Sequence, residues 1–351
     1  MVAKGERSPQ ALLMNQMFPS IVAVLFVAFT LISNLHAQPL VSIETVPIGD
    51  VGNAADTTWS PPGIGYGAVA YDYNIGKYEV TIGQYTAFLN AVAATNDPYG
   101  LYNANMTSDL NVAGISRSGG GSEISPYSYS GLGSGNRPIA YVSWFSAARF
   151  ANWMNNGATN GASTETGAYT LNGATSGGGF TKNPGATWFL PSEDEWYKAA
   201  YYKGGGTNAG YWIYPTQSDT APGNTPGGPT NQANYNNGVF SVTQSTSYSG
   251  SQNYLTDVGV YTFSAGAYGT FDQGGNVAEW NHTEIGFDRG VRGGSWDTIQ
   301  NFLGAGLRDR GAPEAENANV GFRVATVPEP STYALLLMAG AGALWWARRR
   351  R

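Results

Sequence analysis

The chain has no cysteine in 351 residues. That excludes disulfides, thiolate metal sites and any cysteine nucleophile. Charge is also scarce: Asp, Glu, Lys and Arg make up 12% of the chain, so little of the fold is long, exposed, charged helix. Histidine occurs twice, at His36 and His282. What the chain has instead is glycine, at 48 positions, and aromatic rings, at 13%. With 42% hydrophobic residues a core forms without crosslinks, as short elements joined by many turns. The length suits one large domain between terminal appendages. Between Gln38 and Thr326, 12 basic face 22 acidic side chains, a net charge of −10 that repels polyanions. Nucleic acid is not an expected partner.

Both ends read as addresses. Ile21–Ile32 is an apolar run preceded by Lys4 and Arg7 and followed by Leu35-His36-Ala37. This is the layout of a secretory signal over 1–37, cleaved by signal peptidase after Ala37, and the run is too short for a membrane anchor. At the other end, over 327–351, Pro328-Glu329-Pro330 leads into the apolar stretch Tyr333–Ala347 and four arginines, Arg348–Arg351. Such a segment stops translocation with its arginines in the cytoplasm. The tripartite tail resembles the PEP-CTERM sorting signal of Gram-negative bacteria. The resemblance implies recognition and removal by an exosortase, with delivery of the 38–326 domain to the cell surface or an exopolysaccharide matrix, and membrane contact only through the unprocessed tail.

Three helices are legible between the ends. Thr81 stands three residues before Gln84, with Tyr85, Phe88, Leu89 and Val92 on one face beyond. Ser192 stands three before Glu195, after Pro191, with acidic residues suited to a helix N-terminus and with Trp196, Ala199 and Ala200 facing inward. A third helix starts near Ser143, buries Ala147, Phe150, Ala151 and Met154, and ends at Asn155-Asn156-Gly157. Gly, Ser, Asn and Thr fill Ser116–Gly135, Gly157–Gly179 and Gly204–Gly228, which read as long surface loops. There is no internal repeat.

Six segments occur in order: Ile75–Thr81 (IGKYEVT), Arg137–Trp144 (RPIAYVSW), Phe189–Trp196 (FLPSEDEW), Gly275–Trp280 (GNVAEW), Arg292–Trp296 (RGGSW) and Gly321–Val324 (GFRV). Together they resemble the formylglycine-generating enzyme, or sulfatase-modifying factor, family over about Val46–Ala325. The resemblance implies an α+β fold related to C-type lectins, with little regular secondary structure and long loops. It does not by itself imply an activity.

Active members oxidise a substrate cysteine using copper held by two cysteines after the Gly-Gly-Ser-aromatic segment. Those places fall on Thr298 and Leu303 here, and neither side chain is a soft ligand for Cu(I). Related sulfoxide-forming enzymes hold iron by three histidines of an extra domain; this chain offers only His282 beyond its signal. No copper or iron is expected. The carboxylates Asp309, Glu314 and Glu316, near Arg308 and Arg310, read as solvated surface. The resemblance also implies structural calcium at Asp272, Gly275, Val277 and Glu279, carboxylates and carbonyls giving a hard cation its oxygens. A second calcium site would begin at Asn234 and Tyr235, with Asp257 as its nearest acid.

The loops carry Tyr127, Tyr129, Tyr201, Tyr202, Tyr211, Trp212 and Tyr214 among small polar residues, a mixture that suits either a recognition surface or a loop-rich core. The expectation is a non-catalytic, calcium-stabilised binding module for exopolysaccharide or another surface glycan, with Trp296, Arg308 and Arg310 as candidate ligand contacts. Two readings stand beside it. One is an enzyme of altered mechanism using Trp296, Arg308, Asp309 and Arg310; the other is a purely architectural envelope module.

Overall fold

The computed structural model describes residues 38–59 and 64–327. The expected signal at 1–37 and the sorting tail beyond Val327 lie outside the described residues. Among the described residues no helix is long and apolar enough to cross a membrane.

The chain enters through β1 (Thr45–Ile48) and β2 (Tyr73–Gly76), an antiparallel pair in the register Val46 to Ile75. Thr81 then caps α1 (Ile82–Val92): its hydroxyl accepts from the Gln84 amide, and the Gln84 side chain accepts from the Thr81 amide at 2.9 Å. The single turn α2 (Asn105–Ser108) follows. The expected loop at Ser116–Gly135 instead holds a ribbon, β3 (Ile115–Ser118) paired with β4 (Ser128–Gly131). Gly119 and Gly121, both with positive φ, open its turn in a stretch too polar to show strand alternation.

Ser143 caps α3 (Trp144–Asn155), which is buried along nearly its whole length and leaves through Gly157 at φ 90°. After β5 (Trp188–Phe189), Ser192 and Glu195 form the second reciprocal cap, at the start of α4 (Glu193–Tyr201). The hairpin β6 (Ala278–Ile285) and β7 (Asp288–Arg292) comes next, then a 3-10 turn over Gln300–Leu303 and the strands β8 (Asp309–Gly311), β9 (Val320–Phe322) and β10 (Ala325–Thr326).

One sheet runs β1-β2-β10-β5, all antiparallel, and the other β8-β7-β6-β9, in which β6 and β9 are parallel through Glu279 and Gly321. β9 and β10 thus tie the two sheets together across Arg323 and Val324. The core between sheets and helices is aromatic, with Trp144, Trp153, Trp196 and Trp280 fully buried and Tyr85, Phe88, Phe150 and Phe322 in edge or stacked contact. Arg149, Arg289, Arg292 and Arg323 are fully buried beside them. Each is held by carboxylates or main-chain carbonyls, as a charge taken out of water requires.

Candidate functional site

The segment after β7 turns sharply. Gly293 and Gly294 have φ of 98° and 65°, and a Cβ on Gly294 would lie 2.9 Å from both Thr298 Oγ1 and Phe302 Cβ. Thr298 closes the turn: its hydroxyl accepts from the Ser295 amide at 2.8 Å and donates to the Ser295 carbonyl at 3.0 Å. Ser295 donates in turn to Asp297 at 2.6 Å, and Asn319 donates to both Asp297 oxygens at 3.2 Å. This turn walls a small cleft of about 140 Å³, bordered also by Trp280, Phe302, Asp309, Arg310 and Asn317. Thr298 borders that cleft. Leu303 does not; it is fully buried against Ala233 and Tyr235. The two places that the family resemblance assigned to copper thus hold a hydroxyl engaged in a turn and a core aliphatic.

Of the three expected ligand contacts, only Arg310 lines this cleft. Its side chain is 59% exposed, lines the cleft, and lies 3.3 Å from Asp288. Trp296 is interior: it is 5% exposed and stacks on Tyr254 at 4.9 Å with the rings 2° from parallel. An aromatic this large gains more from burial than from waiting at a surface. Arg308 is committed to Glu193, which also accepts from Arg292 at 2.6 and 2.9 Å. One buried carboxylate therefore serves two guanidinium groups that link α4 to β7 and to the residue before β8. Among the acids, Asp309 and Glu314 are exposed, while Glu316 accepts from Asn103. Burial raises the Glu316 carboxyl above its ordinary range.

Asp272 and Glu279 do come together, around Arg323. Glu279 binds that guanidinium through both oxygens, at 2.6 Å each, and accepts from the Trp196 indole at 2.7 Å. Arg323 also donates to the Gly76 and Phe271 carbonyls at 2.9 Å. Asp272 accepts from the Gly259 amide, and burial raises its carboxyl to about 6. This set does not fit a calcium ion. The Glu279 oxygens are already taken, and a guanidinium in contact with them repels a dication. Gly275 instead permits a close backbone approach. At φ 90° it lies so near the Asn234 main chain that a Cβ would reach the carbonyl oxygen at 2.2 Å.

Asn234, expected at the second calcium site, receives the Asn276 amide on its carbonyl at 2.8 Å, and its side chain donates to the Tyr254 carbonyl at 2.9 Å. Tyr235 donates to the Pro222 carbonyl, and Asp257 lines a different groove, of about 690 Å³, with Glu44 and Gln84. Among the described residues no group of three or more His, Cys, Asp or Glu is arranged to hold a metal.

Sequence reasoning passed over Glu79, although it lies in the first landmark segment. Among the described residues both of its carboxylate oxygens are buried without a partner, and burial, then the nearby Asp272, hold its carboxyl well above the usual range.

The aromatic loop residues divide. Tyr129, Tyr201 and Tyr202 are core, while Tyr127, Tyr211, Trp212 and Tyr214 are partly exposed. Tyr202 and Tyr211, with rings 4.9 Å apart, border an open groove of about 430 Å³. Its other walls are Trp59, 44% exposed, with Asp56, Thr57, Asn208 and Asp219. The walls are fixed from behind. Tyr211 donates to the Ala54 carbonyl and accepts from Asn53, both at 2.8 Å; Asp56 accepts from Tyr197 at 2.8 Å; and Gly306 leaves room for Trp59. The sequence reading missed Trp59 because it stands far from the tyrosines in the chain.

The sequence matches the sulfatase-modifying factor enzyme 1-like domain over residues 49–327. The chain belongs to that family. Residues 326–351 match the PEP-CTERM protein-sorting motif, which implies exosortase-dependent sorting of an exported protein and processing at the membrane. The α+β fold with short helices and strands is that of the sulfatase-modifying factor family. Among solved structures the domain is similar to CarF, at 20% identity over 82% of this chain and 99% of that one, with a TM-score of 0.48. It is also similar to variable protein 1 of Treponema denticola, at 20% identity over 84% and 98%, TM-score 0.47. A third is PvdO from Pseudomonas aeruginosa, at 18% identity over 82% and 93%, TM-score 0.42. No curated protein matches the sequence significantly.

Proposed function

We propose that this sulfatase-modifying factor domain is a non-catalytic glycan-binding module displayed outside the cell, with exopolysaccharide as its partner. The observation that carries the reading is the groove of Trp59 and Tyr211 beside Asn208 and Asp219, with the buried Tyr202 and Asp56 packed behind it. Apolar ring faces there adjoin carboxylate and amide groups, the combination that takes the C–H face of a sugar and its hydroxyls together. The side chains at the family's copper positions support a role without redox catalysis.

Affinity electrophoresis of the full chain through gels containing exopolysaccharide of the producing bacterium tests the reading. The expected result is retardation that falls several-fold in Trp59→Ala and in Asp219→Ala, each at unchanged thermal stability. Migration independent of every polymer tried overturns it. Turnover of a thiol substrate by the purified chain would instead favour the cleft bordered by Thr298 and Arg310 as the site of an altered chemistry.

A further inference from the structure

Several large apolar side chains are exposed, among them Ile124, Phe263 and Phe287. Tyr248, 61% exposed, differs from them in being fixed in place. Its ring stacks on Tyr254 at 5.9 Å and 14°, and Tyr254 stacks on the buried Trp296. Its hydroxyl donates to the Asn111 side-chain oxygen. Asn111 in turn clamps the loop by donating to the Ser249 and Gln252 carbonyls at 2.8 Å each, and the Ser249 amide donates to the Tyr254 hydroxyl at 2.8 Å. The outermost ring of a three-ring column, with Phe240 6.1 Å away at its side, thus stands largely exposed on a packed base.

Fixing a side chain costs rotamer entropy, which a buried ring recovers through burial and an exposed one does not. An immobilised exposed ring is therefore a preorganised contact surface. Its surroundings select the contact. Ser247, Ser249 and Ser251 are exposed hydroxyls in the same loop, residues 240–256 include no charged side chain, and the Asp109 carboxylate on the Asn111 side is engaged by the Asn111 main-chain amide and the Tyr141 hydroxyl. We infer that Tyr248 is a stacking platform for one pyranose ring of a neutral polysaccharide, with the serine hydroxyls meeting the sugar hydroxyls, and that it forms a contact separate from the Trp59 groove. This rests on the glycan reading above. It makes the domain a two-point binder, whose hold on a long polymer exceeds that of either contact alone.

The test is affinity electrophoresis of the full chain in dextran, laminarin and galactomannan gels, comparing the unaltered protein with Tyr248→Ala, Tyr248→Phe and Trp59→Ala. Thermal unfolding of each variant checks that its fold is kept. Binding to at least one polymer, weakened about five- to tenfold in Tyr248→Ala and retained within about twofold in Tyr248→Phe, is expected. Binding that Trp59→Ala weakens and Tyr248→Ala leaves unchanged refutes the platform while the glycan reading stands. No retention of the unaltered protein in any of these gels refutes the platform, and no retention in gels of the producing bacterium's exopolysaccharide as well refutes both.

Discussion

His282 gives the sharpest test of the buried interior. Burial first, with Lys182 and Arg289 nearby, lowers its imidazole from 6.5 to about 4, against the opposing pull of Glu195. Its Nδ1 is out of reach of water and has no partner among the described residues, its ring lies 6.2 Å from that of Tyr169, and its main-chain amide donates to the Pro191 carbonyl. Between about pH 4 and 6.5 the unfolded chain binds a proton that the folded domain refuses. This contribution to stability is therefore complete above the unfolded pKa and is lost as pH falls toward 4. From about pH 7.5 to 4.5 the two values give a loss of about 2.5 kcal/mol. Because the ring is partly exposed, solvent screening reduces this to about 1–2 kcal/mol. Urea unfolding at both pH values, for the unaltered protein and for His282→Phe, isolates the effect, since the variant keeps a ring and removes the titration. Asp272 and Glu79 act in the opposite direction. Their raised carboxyls favour the folded state at low pH and lose that advantage as pH rises through the folded values, and they contribute equally to both proteins. The expected outcome is a smaller acid-induced loss in the variant. Parallel losses in the two proteins would refute the argument.

Glu279→Gln leaves the fully buried Arg323 without its charge partner and is expected to cost about 3–5 kcal/mol in urea unfolding. Glu79→Gln, at a carboxylate with no partner, is expected to leave stability at about pH 8 unchanged or raise it by about 1–2 kcal/mol; a comparable loss there would show that the charge is paired. Gly275→Ala forces a Cβ against the Asn234 main chain at positive φ, and a loss of more than about 3 kcal/mol, or failure to accumulate folded protein, is expected. Chelation by EDTA is expected to shift the melting temperature by less than about 1 °C, because the Glu279 oxygens are committed to Arg323; a concentration-dependent rise on adding calcium would contradict that arrangement.

Local chemistry made much of this protein legible in its sequence. Thr81 with Gln84 and Ser192 with Glu195 start helices because cap and partner stand three residues apart, so no distant contact is needed to read them. The C-terminal sorting motif is likewise a linear signal, and the lack of cysteine settles the thiol chemistry wherever the chain folds. The ribbon β3–β4 was not legible, because its strands are held by pairing across the chain and by Ile115 and Tyr129 reaching the core. Nor was the fate of single charges. Nothing near Glu279 in sequence shows that Arg323, 44 residues on, will occupy both its oxygens, or that Glu79 will be buried with no partner. Trp296, read as a surface contact, became the base of a ring column, and Trp59 and Tyr248, inconspicuous in the sequence, became exposed aromatic faces. Capping and sorting depend on neighbours along the chain, whereas burial and pairing depend on which distant segments the packed core brings into contact; only the tertiary structure decided those.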